Sequence, residues 1–171
     1  MEYSVKDIEK IEEEYYKRLL FYVPNKKQLA FHAAGLFCQE RLITGGNRSG
    51  KTYCGLIELV MHITGIYPEN WNGYKFNRPL NVWIAGKDSK LVGQSLQRAL
   101  FGNQKQKLLG IIHPSLVKNK KRSTNGEMIR SFEVINYNGG FSEITFKTYE
   151  QGRTAFEAAK IDLVLLDEEP P

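Results

Sequence analysis

The stretch Gly45-Gly46-Asn47-Arg48-Ser49-Gly50-Lys51-Thr52 fits the pattern G-x-x-x-x-G-K-[ST], the Walker A signature of phosphate-binding loops. Its glycines permit left-handed backbone, so that successive N–H groups can curl around a phosphate. Lys51 has the length to reach the β- and γ-phosphates, and the Thr52 hydroxyl is a Mg²⁺ ligand by type. The pattern predicts that all eight residues bind ATP with Mg²⁺. The alternative is a glycine loop that carries Lys-Thr by chance.

The residues on either side of this loop favour the phosphate-binding interpretation. Residues 41–44 form a short apolar strand candidate, and residues 51–64 read as a helix that is apolar nearly all round and therefore buried. A helix that begins at Lys51 would point its N-terminal dipole and free N–H groups at the same anion.

A second acidic element lies near the end of the sequence. Residues 161–166 (IDLVLL) read as a buried strand that ends at Asp167-Glu168, the form of a Walker B element. In open α/β sheets ligands bind at the carboxyl ends of the strands. Asp167 is therefore a candidate Mg²⁺ ligand and Glu168 a candidate general base, with Glu169 as the competing base. The alternative is a strand end that turns into solvent.

The remaining pattern alternates helices and strands, which predicts an α/β fold with a central, mainly parallel sheet. We expect a P-loop NTPase of the catalytic-glutamate (RecA-like) type, built as a three-layer sandwich. Residues 1–24 are predicted as an N-terminal helical segment and residues 25–171 as the ATPase domain. The other predicted elements are helices at 5–20, 26–36 (capped by Asn25), 87–100 and 151–159, a strand at 80–85, an exposed basic loop at 118–126, and a hairpin of 129–137 with 142–149.

The composition of the chain limits the classes of protein to which it could belong but does not decide between them. The chain has 171 residues, a net charge of +5, and two cysteines without metal-ligand spacing, for which we expect reduced thiols. The N-terminus lacks the apolar stretch of a signal peptide, and no apolar run is long enough to span a membrane. Basic residues suggest contact with the DNA backbone; the alternative is a solvated loop, which runs of charge usually are. These residues are Lys105, Lys107, Lys118, Lys120, Lys121 and Arg122.

With these motifs in place, the chain resembles the large subunit of phage terminases, the ATP-driven motors that package DNA. The resemblance covers residues 20–171. It includes the segment 23–28 (VPNKKQ) ahead of the phosphate loop and the segment 148–153 (TYEQGR). The part most specific to this family is the ending 162–171 (DLVLLDEEPP), since the phosphate loop is shared by many families.

The resemblance implies roles for three further residues. Gln28 matches the adenine-reading glutamine, with a solvent-facing helix residue as the alternative. Arg48 would contact the γ-phosphate, or else pair with a surface acid. Arg153 matches an arginine finger that acts on the ATP of a neighbouring subunit; alternatively it braces its own helix or binds Glu150.

The resemblance also implies partners: double-stranded DNA, a portal protein, the terminase small subunit and other copies in a homo-oligomeric ring, in the host cytoplasm and without a membrane. Terminase large subunits continue with a coupling motif, two more core strands and a nuclease domain, so we expect this sequence to be a fragment. Two other functions stay open. One is a helicase-like nucleic-acid translocase, and the other is a nucleotide-binding assembly module without turnover of its own.

Overall fold

A computed structural model gives the fold for residue 19 and residues 22–102, 110–123, 126, 128–157 and 159–168. The predicted helix at 5–20 lies outside these residues except for Leu19. Glu169, Lys105 and Lys107 also lie outside them.

Two helices flank the phosphate loop, and both follow the predicted boundaries closely. Helix α1 spans Lys26–Ala34 and begins at Asn25, whose side chain accepts hydrogen bonds from the backbone N–H groups of the first turn. Helix α2 spans Lys51–Thr64. It begins after Gly50 (φ 81°) and ends at Gly65 (φ 74°), two left-handed positions that glycine adopts without strain. These glycines explain why the sequence predicted the ends of α2 so well.

In the described part of the chain, five strands form one mixed sheet in the order β2-β3-β4-β1-β5. The strands are β1 (Asn81–Gly86), β2 (Val117–Arg122), β3 (Ile129–Ile135), β4 (Phe141–Thr148) and β5 (Leu163–Leu166). Strand β1 pairs in parallel with β4 and with β5, whereas β2–β3 and β3–β4 pair antiparallel. The predicted hairpin, β3–β4, is therefore confirmed. The mainly parallel sheet is not, because the hairpin and β2 add antiparallel pairings.

The apolar core lies on one face of this sheet, against α2. Strand register places Ile84 beside Phe146 of β4 and Leu165 of β5. A methyl group on Gly55 of α2 would lie 2.9 Å from Leu165 Cδ1, so α2 packs closely on the Leu165 side chain of β5. On the opposite face of β5, Val164 and Leu166 are 44% and 51% exposed. The described residues therefore do not supply the predicted third layer at β5.

After β1, residues 89–101 are helical in three consecutive pieces. These are α3 (Ser89–Leu91), a π-helical turn (Val92–Leu96) and α4 (Gln97–Phe101), where a single helix over 87–100 was predicted. Leu96 and Leu100 join the same apolar core as α2. None of the helices in the described part of the chain is long and apolar enough to cross a bilayer.

Three predictions about local structure were wrong. Residues 41–44 are not a strand: the described residues give them no ladder partner, and Leu42 is 79% exposed. Residues 118–126 are not a loop throughout, because Val117–Arg122 pairs with β3 as an edge strand, where exposed lysines are tolerated. The helix at 151–159 is replaced by two short 3-10 turns, Tyr149–Gln151 and Arg153–Phe156.

Candidate nucleotide-binding site

The phosphate loop is organised around its lysine. Lys51 Nζ donates to the carbonyl oxygens of Gly45 at 2.7 Å and Gly46 at 2.9 Å, so the ammonium lies against the loop. The Ser49 N–H donates to the Gly46 carbonyl at 3.3 Å and closes the turn. Arg48 has φ 61° and Gly50 has φ 81°, the left-handed geometry that a phosphate-cradling loop uses.

The acidic strand end lies directly beside this loop. The Asp167 N–H donates to the Ala85 carbonyl at 2.9 Å, which extends the β1–β5 ladder to the last residue before the turn. The Thr52 hydroxyl donates to Asp167 Oδ1 at 2.8 Å. Thus the fold joins the two residues that the sequence predicted as Mg²⁺ ligands. A hydroxyl and a carboxylate in contact are the oxygen donors that Mg²⁺ prefers, so these residues fit the ion.

Glu168 follows at the carboxyl edge with an exposed side chain and a left-handed backbone, φ 68°. Its carbonyl accepts a hydrogen bond from the Tyr149 hydroxyl at 3.0 Å. Sequence reasoning quoted Tyr149 within the segment 148–153 but gave it no role. Its position directly after β4 could have indicated a place near the site, since β4 and β5 lie on either side of β1 and both end at the same edge of the sheet.

Gln28 lies against the start of α2 and is half-buried. Its Oε1 accepts from the Asn25 N–H at 2.9 Å, which completes the capping box of α1. Its Nε2 lies 3.5 Å from the Gly50 carbonyl oxygen. The amide therefore bridges the cap of α1 and the phosphate loop, which differs from the solvent-facing alternative.

The two predicted arginines are both exposed. The Arg153 side chain is 94% exposed, and its Nε lies 3.3 Å from Glu157 Oε1. The local partner is therefore Glu157 and not Glu150. Arg48 is an exposed residue of the loop itself and precedes Lys51 in the sequence of that loop. Arg153 belongs to a separate surface turn.

The sequence did not predict a buried polar network that is centred on α2, the helix that follows the loop. Glu58 of α2 is 3% exposed and accepts from His32 Nδ1 at 2.8 Å, Arg41 at 2.9 Å and His62 Nε2 at 3.3 Å. Burial alone would raise the pKa of Glu58, but the hydrogen bonds from both histidines and the charge of Arg41 outweigh it and lower that pKa to about 2. The four-residue spacing of Glu58 and His62 on a helix was the one local signal.

This network fixes the elements around the loop relative to one another. His32 lies on α1, Glu58 on α2, and Arg41 on the segment that leads into the loop. Arg41 also donates to the Phe31 carbonyl at 2.9 Å and lies over the Phe31 ring. The helix that carries Gln28 is thereby tied to the helix that carries Lys51.

Comparison with known proteins identifies the family of this chain. The sequence signature of the family described as "Terminase large subunit, T4likevirus-type, N-terminal" matches residues 42–171. The chain is 31% identical over 184 residues to the terminase large subunit of Salmonella phage P22, a match that covers 94% of the chain and 37% of that relative. The chain thus spans well under half of the length of this relative. No solved structure matches it. The match over residues 42–171 contains both the phosphate loop and the acidic strand end, and the chain belongs to the terminase large subunit family.

Proposed function

We propose that this chain is the ATP-binding and ATP-hydrolysing motor part of a terminase large subunit, and that it powers the packaging of double-stranded DNA. Family membership supports the packaging role. The observation that carries the ATPase role is the Thr52–Asp167 hydrogen bond, because it joins the phosphate loop to the acidic strand end.

Nucleotide binding follows from the residues around this contact. The N–H groups of residues 45–52 and the start of α2 receive the phosphates, and Lys51 exchanges its bonds to the Gly45 and Gly46 carbonyls for phosphate oxygens. In this proposal Gln28 recognises the adenine edge, since its amide can both donate and accept. Thr52 and Asp167 would hold Mg²⁺, which when bound offsets the negative charge of the phosphates.

Hydrolysis is assigned to the exposed end of the same strand. The Glu168 carboxylate accepts a proton from a water molecule as the water oxygen attacks the γ-phosphorus. The bond from the γ-phosphorus to the bridging oxygen breaks in line, and ADP leaves with that electron pair. The positive charge of Lys51 stabilises the charge that develops on the phosphate oxygens.

Coupling to DNA is assigned to an assembly of several copies. The exposed guanidinium of Arg153 is available to a neighbouring subunit, where it would act on that subunit's ATP. Arg48, on the loop itself, would respond to the γ-phosphate. Double-stranded DNA, the portal protein and the small subunit are the partners of this proposed ring, and the host cytoplasm is its proposed location.

The test is Mg²⁺-dependent ATP binding and hydrolysis by the chain beside Lys51→Ala and Glu168→Gln, with and without DNA. Lys160→Ala is the matched control, since Lys160 is an exposed lysine ahead of β5. We expect Lys51→Ala to lose binding, and Glu168→Gln to bind ATP without turning it over. A folded wild-type chain that binds no ATP would overturn the proposal. Binding without turnover by the wild-type chain would favour the assembly module instead.

A further inference from the structure

The turn that follows β5 places Glu168 in a conformation that L residues seldom adopt. Its φ of 68° lies in the left-handed region, which a side chain with a Cβ enters only when its surroundings hold it there. The preceding residue is held by the ladder, because the Asp167 N–H donates to the Ala85 carbonyl. That ladder ends before Glu168, so a contact from outside the ladder would help to stabilise the turn.

Tyr149 supplies this contact from the neighbouring strand end. Thr148, the last residue of β4, pairs with Gly86 of β1, which places Tyr149 at the same edge of the sheet as Glu168. The Tyr149 hydroxyl donates to the Glu168 carbonyl oxygen at 3.0 Å. The ring itself lies near Phe156, with 6.5 Å between the ring centroids. The ring therefore has a neighbour that does not involve the hydroxyl.

We propose that Tyr149 is the positioning residue for Glu168: its hydroxyl holds the Glu168 carbonyl and so fixes the left-handed turn from which the Glu168 carboxylate acts as the base. This inference rests on the proposed ATPase function. Tyr149 acts through the backbone of Glu168 and not on the nucleotide, so its contribution belongs to the chemical step and not to ATP binding.

The protonation state of Tyr149 suits this role. Burial of the hydroxyl, together with the negative charges of Asp167 and Glu168, raises the pKa of Tyr149 above its ordinary value. The hydroxyl therefore keeps its proton and stays a hydrogen-bond donor at neutral pH.

The experiment compares wild-type chain with Tyr149→Phe, which removes the hydroxyl and keeps the ring. We expect kcat to fall by roughly 3- to 10-fold, the range expected for loss of one neutral hydrogen bond, with unchanged KM for ATP. Amide hydrogen exchange of a peptide covering residues 163–168 should also become faster. Tyr74→Phe is the control, since Tyr74 makes its ring contact with Phe76, on the loop that follows α2.

The two readouts separate this inference from the proposed function. Unchanged kcat and unchanged exchange in Tyr149→Phe would overturn the positioning role while leaving the ATPase intact. Equal losses of kcat and ATP affinity would also overturn it, because they indicate a general structural defect. If the wild-type chain hydrolyses no ATP, the proposed function fails for this chain, and the exchange rates alone decide whether Tyr149 fixes the turn.

Discussion

The Thr52 hydroxyl donates to Asp167 Oδ1 at 2.8 Å, although 115 positions separate the two residues. The contact depends on the close packing of α2 on β5, where Gly55 lets the helix approach Leu165. As a result, the first turn of α2 and the carboxyl end of β5 form a single site. Movement of either element relative to the other would separate the two oxygens that are proposed to bind Mg²⁺.

Replacing either of these two residues should uncouple ATP binding from Mg²⁺. We expect Thr52→Val and Asp167→Asn each to lose about tenfold or more of the Mg²⁺-dependent gain in ATP affinity, about 1.4 kcal/mol. Thr52→Ser retains the hydroxyl and serves as the control. ATP titrations with Mg²⁺ and with EDTA measure the gain. The double variant should lose little more than either single variant, since both act on one ion; additive losses would contradict a shared site.

Glu58 should make stability depend on acid pH. Its folded pKa of about 2 lies below the ordinary value of 4.5, so its stabilising effect is complete above pH 4.5 and is lost as the pH falls from there towards 2. The effect is on the order of 3 kcal/mol. Denaturant unfolding at pH 6 and pH 3 should show a smaller loss for Glu58→Gln than for wild type. Equal losses in both proteins would mean that other carboxylates account for the acid sensitivity.

Removing the cap of α1 should loosen the helix that carries Gln28. The Asn25 side chain accepts from two backbone N–H groups, and the Asn25 N–H donates to Gln28 Oε1. Asn25→Ala is expected to cost about 1 kcal/mol of unfolding free energy. Asn25→Asp, which keeps an accepting oxygen, should retain most of it. Chemical denaturation measures both. If Gln28 recognises the base, Asn25→Ala should weaken ATP binding more than tripolyphosphate binding.

Arg153 should matter to an assembly and not to the stability of one chain. Its side chain is 94% exposed and pairs with Glu157 across a surface turn, so Arg153→Ala should leave the unfolding midpoint unchanged. As an arginine finger it should be required for hydrolysis by assembled subunits. Mixing Arg153→Ala with Lys51→Ala subunits should restore part of the activity, because some interfaces then combine an intact loop with an intact arginine. No recovery in mixtures that demonstrably assemble would contradict a role between subunits.

The elements that were predicted correctly are those whose ends are set by residues within the element or directly beside it. Gly50 and Gly65 set the ends of α2, Asn25 set the start of α1, and Asn138-Gly139-Gly140 marked the turn between β3 and β4. The pairing of Thr52 with Asp167 was also foreseen in kind, because the Walker A and Walker B patterns each imply a Mg²⁺ ligand.

Features that depend on distant partners were not predictable in this way. Residues 41–44 have strand composition, yet a strand needs a ladder partner, and composition does not reveal one. Helix α2 read as apolar all round, and the partners that make Glu58 tolerable, His32 and Arg41, come from other segments. Likewise, the contact of Tyr149 with Glu168 exists only because β1 brings β4 and β5 to the same edge.

The row of cations along β2 has a consequence for solubility. Strand β2 lies at one edge of the sheet, and its residues from Lys118 to Arg122 are all exposed. An outer strand is a template onto which an identical strand of another copy can add. Here such an addition would bring lysines and arginines of two copies into opposition at close range, and like charges directly opposite one another are destabilising. The lysines because of which this segment was predicted as a loop therefore also oppose the pairing of β2 with the same strand of a second molecule.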